Sequence, residues 1–422
     1  MAEARSQLGA RGTKRLFVQI HQVLRHNARI SVITCVYPST GTTANQAPRR
    51  VTARRMDDEQ QHHFGEGDPY SLGLEEELFV VDPESGRLLN VGSEVLERLG
   101  ELERGEVKSE LHRSQIELIT GVCTTVDDAI GELCELRRAV LDTGVGLIAS
   151  GTHPTAVEGD SIVTDAPRYE RIRDWLGDAG ATPVCALHIH VGMPDAPTAI
   201  RVFNGLRRYL PLLEALGANS PFRHGRDTGL ASARELTLRS WPRAGVPRAM
   251  TDFDDFTRCS TQLTRVAEVP DYTYHWWKLR PHPRLGTVEI RALDTQVSPR
   301  HSAALVAAVH ALARHEAQAD PIEGPPVEIL DEASFRAARA GIEATLPDDE
   351  LRLRPVAELL EETVALVRQA ARELRCETQL DGLARLLADG GGAGVQRAAY
   401  GSDDSAALLQ ALVARAHDRT EL

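Results

Sequence analysis

Three consecutive carboxylates, Glu75, Glu76 and Glu77, sit inside an otherwise apolar run, Ser71 to Asp82, that reads SLGLEEELFVVD. In a strand alternate side chains share a face, so Glu75 and Glu77 point one way and Glu76 the other. Two like charges about 4 Å apart repel by roughly 4 kcal/mol at an effective dielectric near 20, and burial adds a desolvation cost. Such a strand is either a solvated edge or part of a site that supplies a cation or a shared proton. Three further segments of similar design favour the site. Glu110 and Glu117 lie in VKSELHRSQIELI, His188 and His190 in VCALHIHVGM, and Glu289 and Arg291 in TVEIRAL. Glu110 and Glu117 are seven residues apart, so a regular strand would put them on opposite faces. Joint service in one site requires a bulge or bend between them.

Gathered on the wet face of an antiparallel sheet, these groups form a hard-ligand set suited to Mg²⁺ or Mn²⁺. Carboxylates alone would repel ATP. Carboxylates holding two or three divalent ions would clamp its phosphates and offset the charge that develops during phosphoryl transfer. The common nucleotide loops are missing: there is no GxxxxGK[ST], and residues 144–149 match GxGxxA in form only, since they leave a helix and enter a strand. HExxH is absent, and His310 and His315, five apart, are expected at the surface. Taken singly, His-x-His also fits a packed or hydrogen-bonded pair, and Glu289 with Arg291 a cross-strand ion pair.

The elements that must position these groups begin near Tyr70. Strands are expected at Ser71 to Asp82, Leu88 to Val91, Val107 to Ile119, Gly146 to Ser150 and Val184 to Met193, and a hairpin at Tyr274 to Arg280 and Thr287 to Leu293. Thr125 to Val145 has helical periodicity, with Thr124 or Thr125 as its cap and Asp127 and Asp128 in its first turn. Ala196 to Gly217 and Asp252 to Val266 read as helices. Beyond Ser298 the chain turns helical, at His301 to Gln318, Asp331 to Ala344, Pro355 to Leu374, Thr378 to Asp389 and Ser405 to His417. The glycine-rich Gly390 to Gly394 is expected to be a flexible joint.

Residues 1–66 differ from the rest. They are Arg-rich and acid-poor, which suits a disordered or misannotated N-terminal extension, with Met56 as an alternative start and an organelle transit peptide as the less favoured reading. Residues 67–422 are expected to form the domain that carries the candidate site, with a helical C-terminal part. The whole chain carries a formal net charge of −13, and residues 57–422 alone carry −22. So acidic a body argues against nucleic-acid binding. No apolar run is long enough to span a membrane. Six scattered cysteines with no CxxC pair fit a reducing cytoplasm rather than a disulfide framework or a structural zinc site.

Six ordered motifs carry a resemblance: GLEEE at 73–77, ELHRSQIE at 110–117, HIHVG at 188–192, NSPF at 219–222, SAR at 232–234 and KLRPHPRLGTVEIRALD at 278–294. Together they are similar to the carboxylate-amine ligases of the glutamate-cysteine ligase family, type 2, from about Tyr70 to Gln318 and more loosely beyond. The resemblance implies that residues 67–422 are a carboxylate-amine ligase catalytic domain with an α+β fold, a curved, mainly antiparallel sheet forming a funnel with helices on its outer face, like that of glutamine synthetase. It implies an ATP-dependent reaction through an acyl phosphate, with ATP as co-substrate, joining glutamate or a similar carboxylate to cysteine or another amine. By resemblance Glu75, Glu77, Glu110, Glu117, His188 and Glu289 are Mg²⁺ ligands and Arg291 steadies the phosphoryl group. Arg234 holds a substrate carboxylate or phosphate, Asn219 and Ser220 line the substrate loop, and Arg280 and His190 serve the site or its frame. The partners implied are small molecules, and self-association into a homo-oligomer is compatible with the chain. Two other classes compete: a barrel-type metal-dependent hydrolase, in which His-x-His would hold zinc, and a non-catalytic protein that binds a nucleotide or an amino acid.

Overall fold

A computed structural model describes residues 62–401 and 404–416. Residues 1–61, most of the stretch read as an extension, lie outside the described residues. Residues 62–66 are tied to the body of the protein. His63 donates its backbone N–H to Pro283 O, Gly65 to Met193 O, and Phe64 is buried edge-on to Phe253. The packed chain therefore starts before residue 67.

Seven strands build the main sheet: β1 (Leu72–Val81), β2 (Glu106–Ser109), β3 (Gln115–Ile119), β4 (Gly146–Ile148) and β5 (Ala186–Gly192), then, past a two-stranded hairpin of β6 (Phe222–Arg223) and β7 (Arg226–Asp227), β8 (Leu279–His282) and β9 (Thr287–Asp294). Their order is β2-β3-β1-β5-β9-β8, with β4 pairing the far end of β1, and every pairing is antiparallel. Strands β2 and β8 end the order, so the sheet is open rather than a closed barrel. The barrel hydrolase alternative needs parallel βα units, and this sheet has none.

The apolar face follows from the period of two. Leu74 and Leu78 of β1, Leu118 of β3, Ile189 of β5 and Ile290 of β9 are fully buried in one core with Leu133, Phe203, Leu305 and Leu312 from the helices behind. Those helices are Val126–Leu141, Ala196–Arg207 and Pro299–Glu316. The first is capped as expected, Thr125 Oγ1 accepting from Asp128 N at 3.1 Å. The long helix expected at Ala196 to Gly217 is two helices, the second being Leu210–Gly217 with Pro211 in its first turn. Proline lacks the N–H that a continuous helix would use, so the chain restarts there.

Three other expectations change. Val107 to Ile119 is not one extended segment but the hairpin β2–β3, turning through residues 110–114. Gly390 to Gly394 is not a loose joint: helix Gly391–Tyr400 begins within it, and a Cβ on Gly392 would lie 2.5 Å from Asn219 Oδ1. Glycine is needed there so that the helix end can seat on Asn219. His310, expected at the surface, is fully buried and bonds Tyr70 O at 2.8 Å. Among the described residues the five cysteines are free, and no helix is long and apolar enough to cross a membrane.

Glu76, alone on the apolar face, finds its partner in Arg137 of the helix Val126–Leu141. The guanidinium grips both carboxylate oxygens at 2.5 and 2.6 Å, and Thr295 Oγ1 adds a third bond at 3.3 Å. Removing one member of a buried pair strands the other's charge, at about 3–5 kcal/mol, whereas replacing both with apolar groups is often neutral. Arg137→Met is therefore expected to lower stability by about that amount in urea unfolding, and the double variant Glu76→Leu, Arg137→Met to recover most of it.

Candidate active site

The register of the sheet assembles the polar face. Glu77 of β1 stands opposite Glu117 of β3, Glu75 opposite His188 of β5, His190 opposite Glu289 of β9, and Glu289 opposite Arg280 of β8. One polar row thus crosses five strands. His188 Nδ1 lies 3.0 Å from Glu75 Oε2, and His190 Nε2 lies 3.3 Å from Glu75 Oε1 and 3.7 Å from Glu289 Oε1. Glu110 reaches the row from the β2–β3 turn, which is the bend that its seven-residue spacing from Glu117 demanded. Three sets bring their ligand atoms within 4.8 Å of one another: Glu77, Glu110 and Glu117; Glu75, Glu117 and His188; Glu75, His190 and Glu289.

Strand β9 carries a bulge. Its register against β5 shifts between Leu187 and Ile189, so Arg291 and Ala292 stand opposite the single His188. Arg291 keeps the face of Glu289 and bonds its carboxylate, while Asp294, beyond the bulge, meets Ser220, Ser232 and Arg234. Arg280 holds the other side of Glu289 and also donates to Thr273 O and His275 O. Arg234 arrives on the helix Ala233–Leu238, capped by Ser232, and donates to Arg291 O at 3.1 Å.

Asn219 and Ser220 are not where the resemblance implied. Both are fully buried behind the site. Asn219 Nδ2 donates to Ala149 O and Thr295 O, its Oδ1 accepts from Gln396, and Ser220 Oγ donates to Asp294 Oδ2 at 2.7 Å. Their polar atoms hold the frame of Arg234, and neither lines the cavity.

That cavity, about 250 Å³, has the carboxylates on its sheet side. The other wall comes from helices and loops that no motif marked: Tyr169 and Ile172 from helix Pro167–Leu176, Leu238, Trp241 and Trp276. Lys278 also borders it, its Nζ bonded to Glu214 at 2.5 Å and Glu235 at 2.6 Å. These contacts join residues 43 and 64 positions apart, which strand parity cannot reveal.

Charge is not evenly compensated. Burial, then the charge of Glu110, pushes Glu77 up to about 8. Burial and the charges of Glu75, Glu110 and Glu77 push Glu117 well above the usual carboxylate range, and burial raises Glu110. Burial acts the same way on Glu75 and Glu289 but is outweighed, by His190 and His188 for Glu75 and by Arg280, Arg291 and His190 for Glu289, so both are held well below that range. Burial, with Arg291 nearby, lowers His188 to about 4, leaving it a neutral ring at pH 7. His190 Nε2 is buried without an aligned hydrogen bond. Hard oxygen donors, a neutral imidazole and crowded carboxylates are a set that a divalent cation satisfies. In the cation-free protein, Glu77 holds a proton in the folded state that it loses on unfolding, so its burial costs stability increasingly from about pH 4.5 to pH 8. With chelator present, Glu77→Gln is expected to raise the Tm by several degrees at pH 8, the gain shrinking toward pH 5; a pH-independent effect in thermal scans would contradict this charge assignment.

A glutamate-cysteine ligase family 2 model matches residues 71–402. A Rubrobacter xylanophilus protein whose provisional name is glutamate-cysteine ligase 2-3 is 37% identical over 349 residues, covering 81% of this chain and 95% of its own. A Gloeobacter violaceus protein provisionally named glutamate-cysteine ligase 2 is 35% identical over 347 residues, covering 79% and 93%. In fold the chain resembles the Francisella tularensis glutamate-cysteine ligase solved with AMP, at a TM-score of 0.61, 14% identity, and coverage of 83% of this chain and 89% of that one. It also resembles a bifunctional glutathione synthetase from Pasteurella multocida, at 0.61 and 16%, covering 87% and 54%. With a family model spanning most of its length and relatives above 30% identity that it covers almost end to end, this chain belongs to the glutamate-cysteine ligase family 2.

Proposed function

We propose that the protein is an ATP-dependent carboxylate-amine ligase that activates glutamate or a similar acid and joins it to an amine, with glutamate-cysteine ligase activity that is weak. The observation that carries this reading is the unbroken polar row from Glu117 to Arg280 on one face of the sheet, beside a cavity with an apolar second wall. Glu75, Glu77, Glu110, Glu117, His188 and Glu289 would hold Mg²⁺ or Mn²⁺, which when bound supplies the positive charge that ATP's phosphates need beside these carboxylates.

In the reaction a carboxylate oxygen of the acid attacks the γ-phosphorus of ATP, the bond to ADP breaks, and an acyl phosphate forms. The amine nitrogen, after giving up a proton, attacks the acyl carbon and phosphate leaves. Arg291 lines the cavity and is fixed by Glu289, so its charge would meet the phosphoryl group in transit. Arg280 works through Glu289, holding the opposite side of that carboxylate. Arg234 has its buried Nε without a hydrogen-bond partner and would take one anionic oxygen of the nucleotide. The apolar wall limits water, which would otherwise hydrolyse the acyl phosphate. Cysteine as the amine comes from the family name; no group in the cavity is identified as reading a thiol. A cytoplasmic location, where ATP is plentiful and thiols stay reduced, belongs to the same proposal.

The test is ADP release from ATP with Mg²⁺ and glutamate, with and without cysteine, followed by mass spectrometry over a panel of amines. Release that rises with cysteine and yields γ-glutamylcysteine supports both chemistry and substrates. Release only with other pairs keeps the chemistry and replaces the substrates, and no release with any pair overturns the ligase reading. Glu75→Gln is expected to cut ADP release by about 100-fold or more with an unchanged circular dichroism spectrum. Full activity in that variant would remove Glu75 from the site.

A further inference from the structure

Five cations border the cavity: Arg168, Arg234, Lys278, Arg280 and Arg291. Four are already committed. Lys278 is shared by Glu214 and Glu235, Arg280 and Arg291 both grip Glu289, and Arg234 spends its Nη groups on two backbone carbonyls with Asp294 at 3.6 Å. Arg168 differs. Among the described residues no carboxylate oxygen lies within 4.0 Å of it. Its Nη1 donates to Thr273 Oγ1 at 3.2 Å, and its guanidinium lies over the Tyr274 ring at 4.5 Å.

This arrangement fixes a cation with no carboxylate bonded to it, its charge being felt only at longer range by Glu110 and Asp271. Stacking on Tyr274 holds the guanidinium plane, so the side-chain entropy of binding is already spent, and only one of the five N–H donors has a protein acceptor. The planar fork that remains matches a carboxylate. Arg168 stands in the first turn of helix Pro167–Leu176, on the helix-and-loop wall rather than on the sheet with the carboxylates. An amino acid entering a cavity floored by glutamates is repelled through every carboxylate it carries, and Arg168 is the cation on that wall able to offset one.

We infer that Arg168 is a specificity-determining residue that binds the carboxylate an amino-acid substrate does not consume in the reaction. The inference rests on the ligase reading and adds to it a preference for substrates bearing a spare carboxylate. Two sources share this chemistry, the α-carboxylate of the acid and the carboxylate of the amine.

The experiment compares wild type, Arg168→Gln and Arg168→Lys with two substrate pairs: glutamate against its α-amide, and cysteine against 2-aminoethanethiol, which lacks the carboxylate. The expected result in Arg168→Gln is a KM raised about 20-fold for glutamate or for cysteine, with kcat and the KM for ATP unchanged. That variant also loses the preference for the same substrate over its analogue. Arg168→Lys is expected to fall between the two, keeping the charge without the fork. Whichever pair responds identifies the source. A rise in the KM for ATP alone, or equal discrimination by wild type and Arg168→Gln in both pairs, would overturn the inference. Calorimetric titration of the same four compounds separates it from the ligase reading. Carboxylate-dependent affinity that is lost in Arg168→Gln supports the anchor even if no ADP is released, and its absence in wild type overturns the anchor even if ADP is.

Discussion

Glu77 faces Glu117 directly across β1 and β3, with Glu110 folded over them from the adjoining turn. Like charges opposite one another destabilise a sheet, and here the pair is also largely removed from water. The sheet treats its two ends differently. Toward β8 the same problem is solved internally, since Arg280, Arg291 and His190 surround Glu289 and keep it ionised. Toward β2, among the described residues, no arginine or lysine bonds the carboxylates. Arg291, Arg234 and Arg168 act on them only at longer range, burial outweighs that, and protons take the place of cations at neutral pH. The folding free energy given up at that end is returned by any cation that binds the folded state. Affinity for a divalent ion should therefore be concentrated in Glu77, Glu110 and Glu117.

Holding this arrangement requires a frame stiffer than the repulsion it resists. The antiparallel register sets the spacing between neighbours on the face, and the bulge in β9 turns Arg291 and Asp294 to the same side. Asp294 then ties the loop after helix Leu210–Gly217 to the cap of helix Ala233–Leu238, through Ser220 and Ser232. Asn219 continues the same network to Gln396, and the close seat of Gly392 lets the C-terminal helices approach it. A chain of buried bonds thus runs from the C-terminal part to Arg234. On the apolar face, the pair of Glu76 and Arg137 pins β1 to the first large helix, so the third carboxylate of the triplet serves the frame.

Strand parity made much of the site legible. Glu75 with Glu77, His188 with His190, and Glu289 with Arg291 each share a face because they are two positions apart, and the β8–β9 hairpin that places the last pair carries a strong Pro/Gly turn signal. Parity stops where the chain stops being a strand. Glu110 sits on a turn, so its place beside Glu117 could be stated only as a requirement for a bend. The burial of Asn219 and Ser220 was not legible because Asn219 bonds partners 70 to 177 residues away and Ser220 bonds Asp294 74 residues on, and no local pattern distinguishes a buried clamp from a substrate loop. Lys278, Tyr169, Trp241 and Arg168 belong to no spaced set, since loops and helices bring them to the wall singly. The glycine run at 390–394 was misread for a related reason: glycine permits flexibility and close approach alike, and only the neighbour at Gly392 decides between them.

The remaining charges define a direction across the cavity. Lys278 is bonded to Glu214 and Glu235, and Arg280 and Arg291 are both bonded to Glu289, so each of these cations already has a carboxylate partner. Arg291 also acts at longer range on Glu77, Glu110 and Glu117. Two poles are left: the carboxylate set Glu77, Glu110 and Glu117 on the sheet, and Arg168 on the facing helix and loop elements. With cations on the first pole, phosphates are drawn to the sheet, while a free carboxylate is drawn to the second. A substrate carrying two carboxylates can satisfy both poles only with one at the sheet, beside the phosphates, and the other at Arg168. The apolar side chains between the poles strengthen this preference, since opposite charges attract more strongly where water is scarce. Which carboxylate becomes activated is then decided by the distance between the two along the substrate.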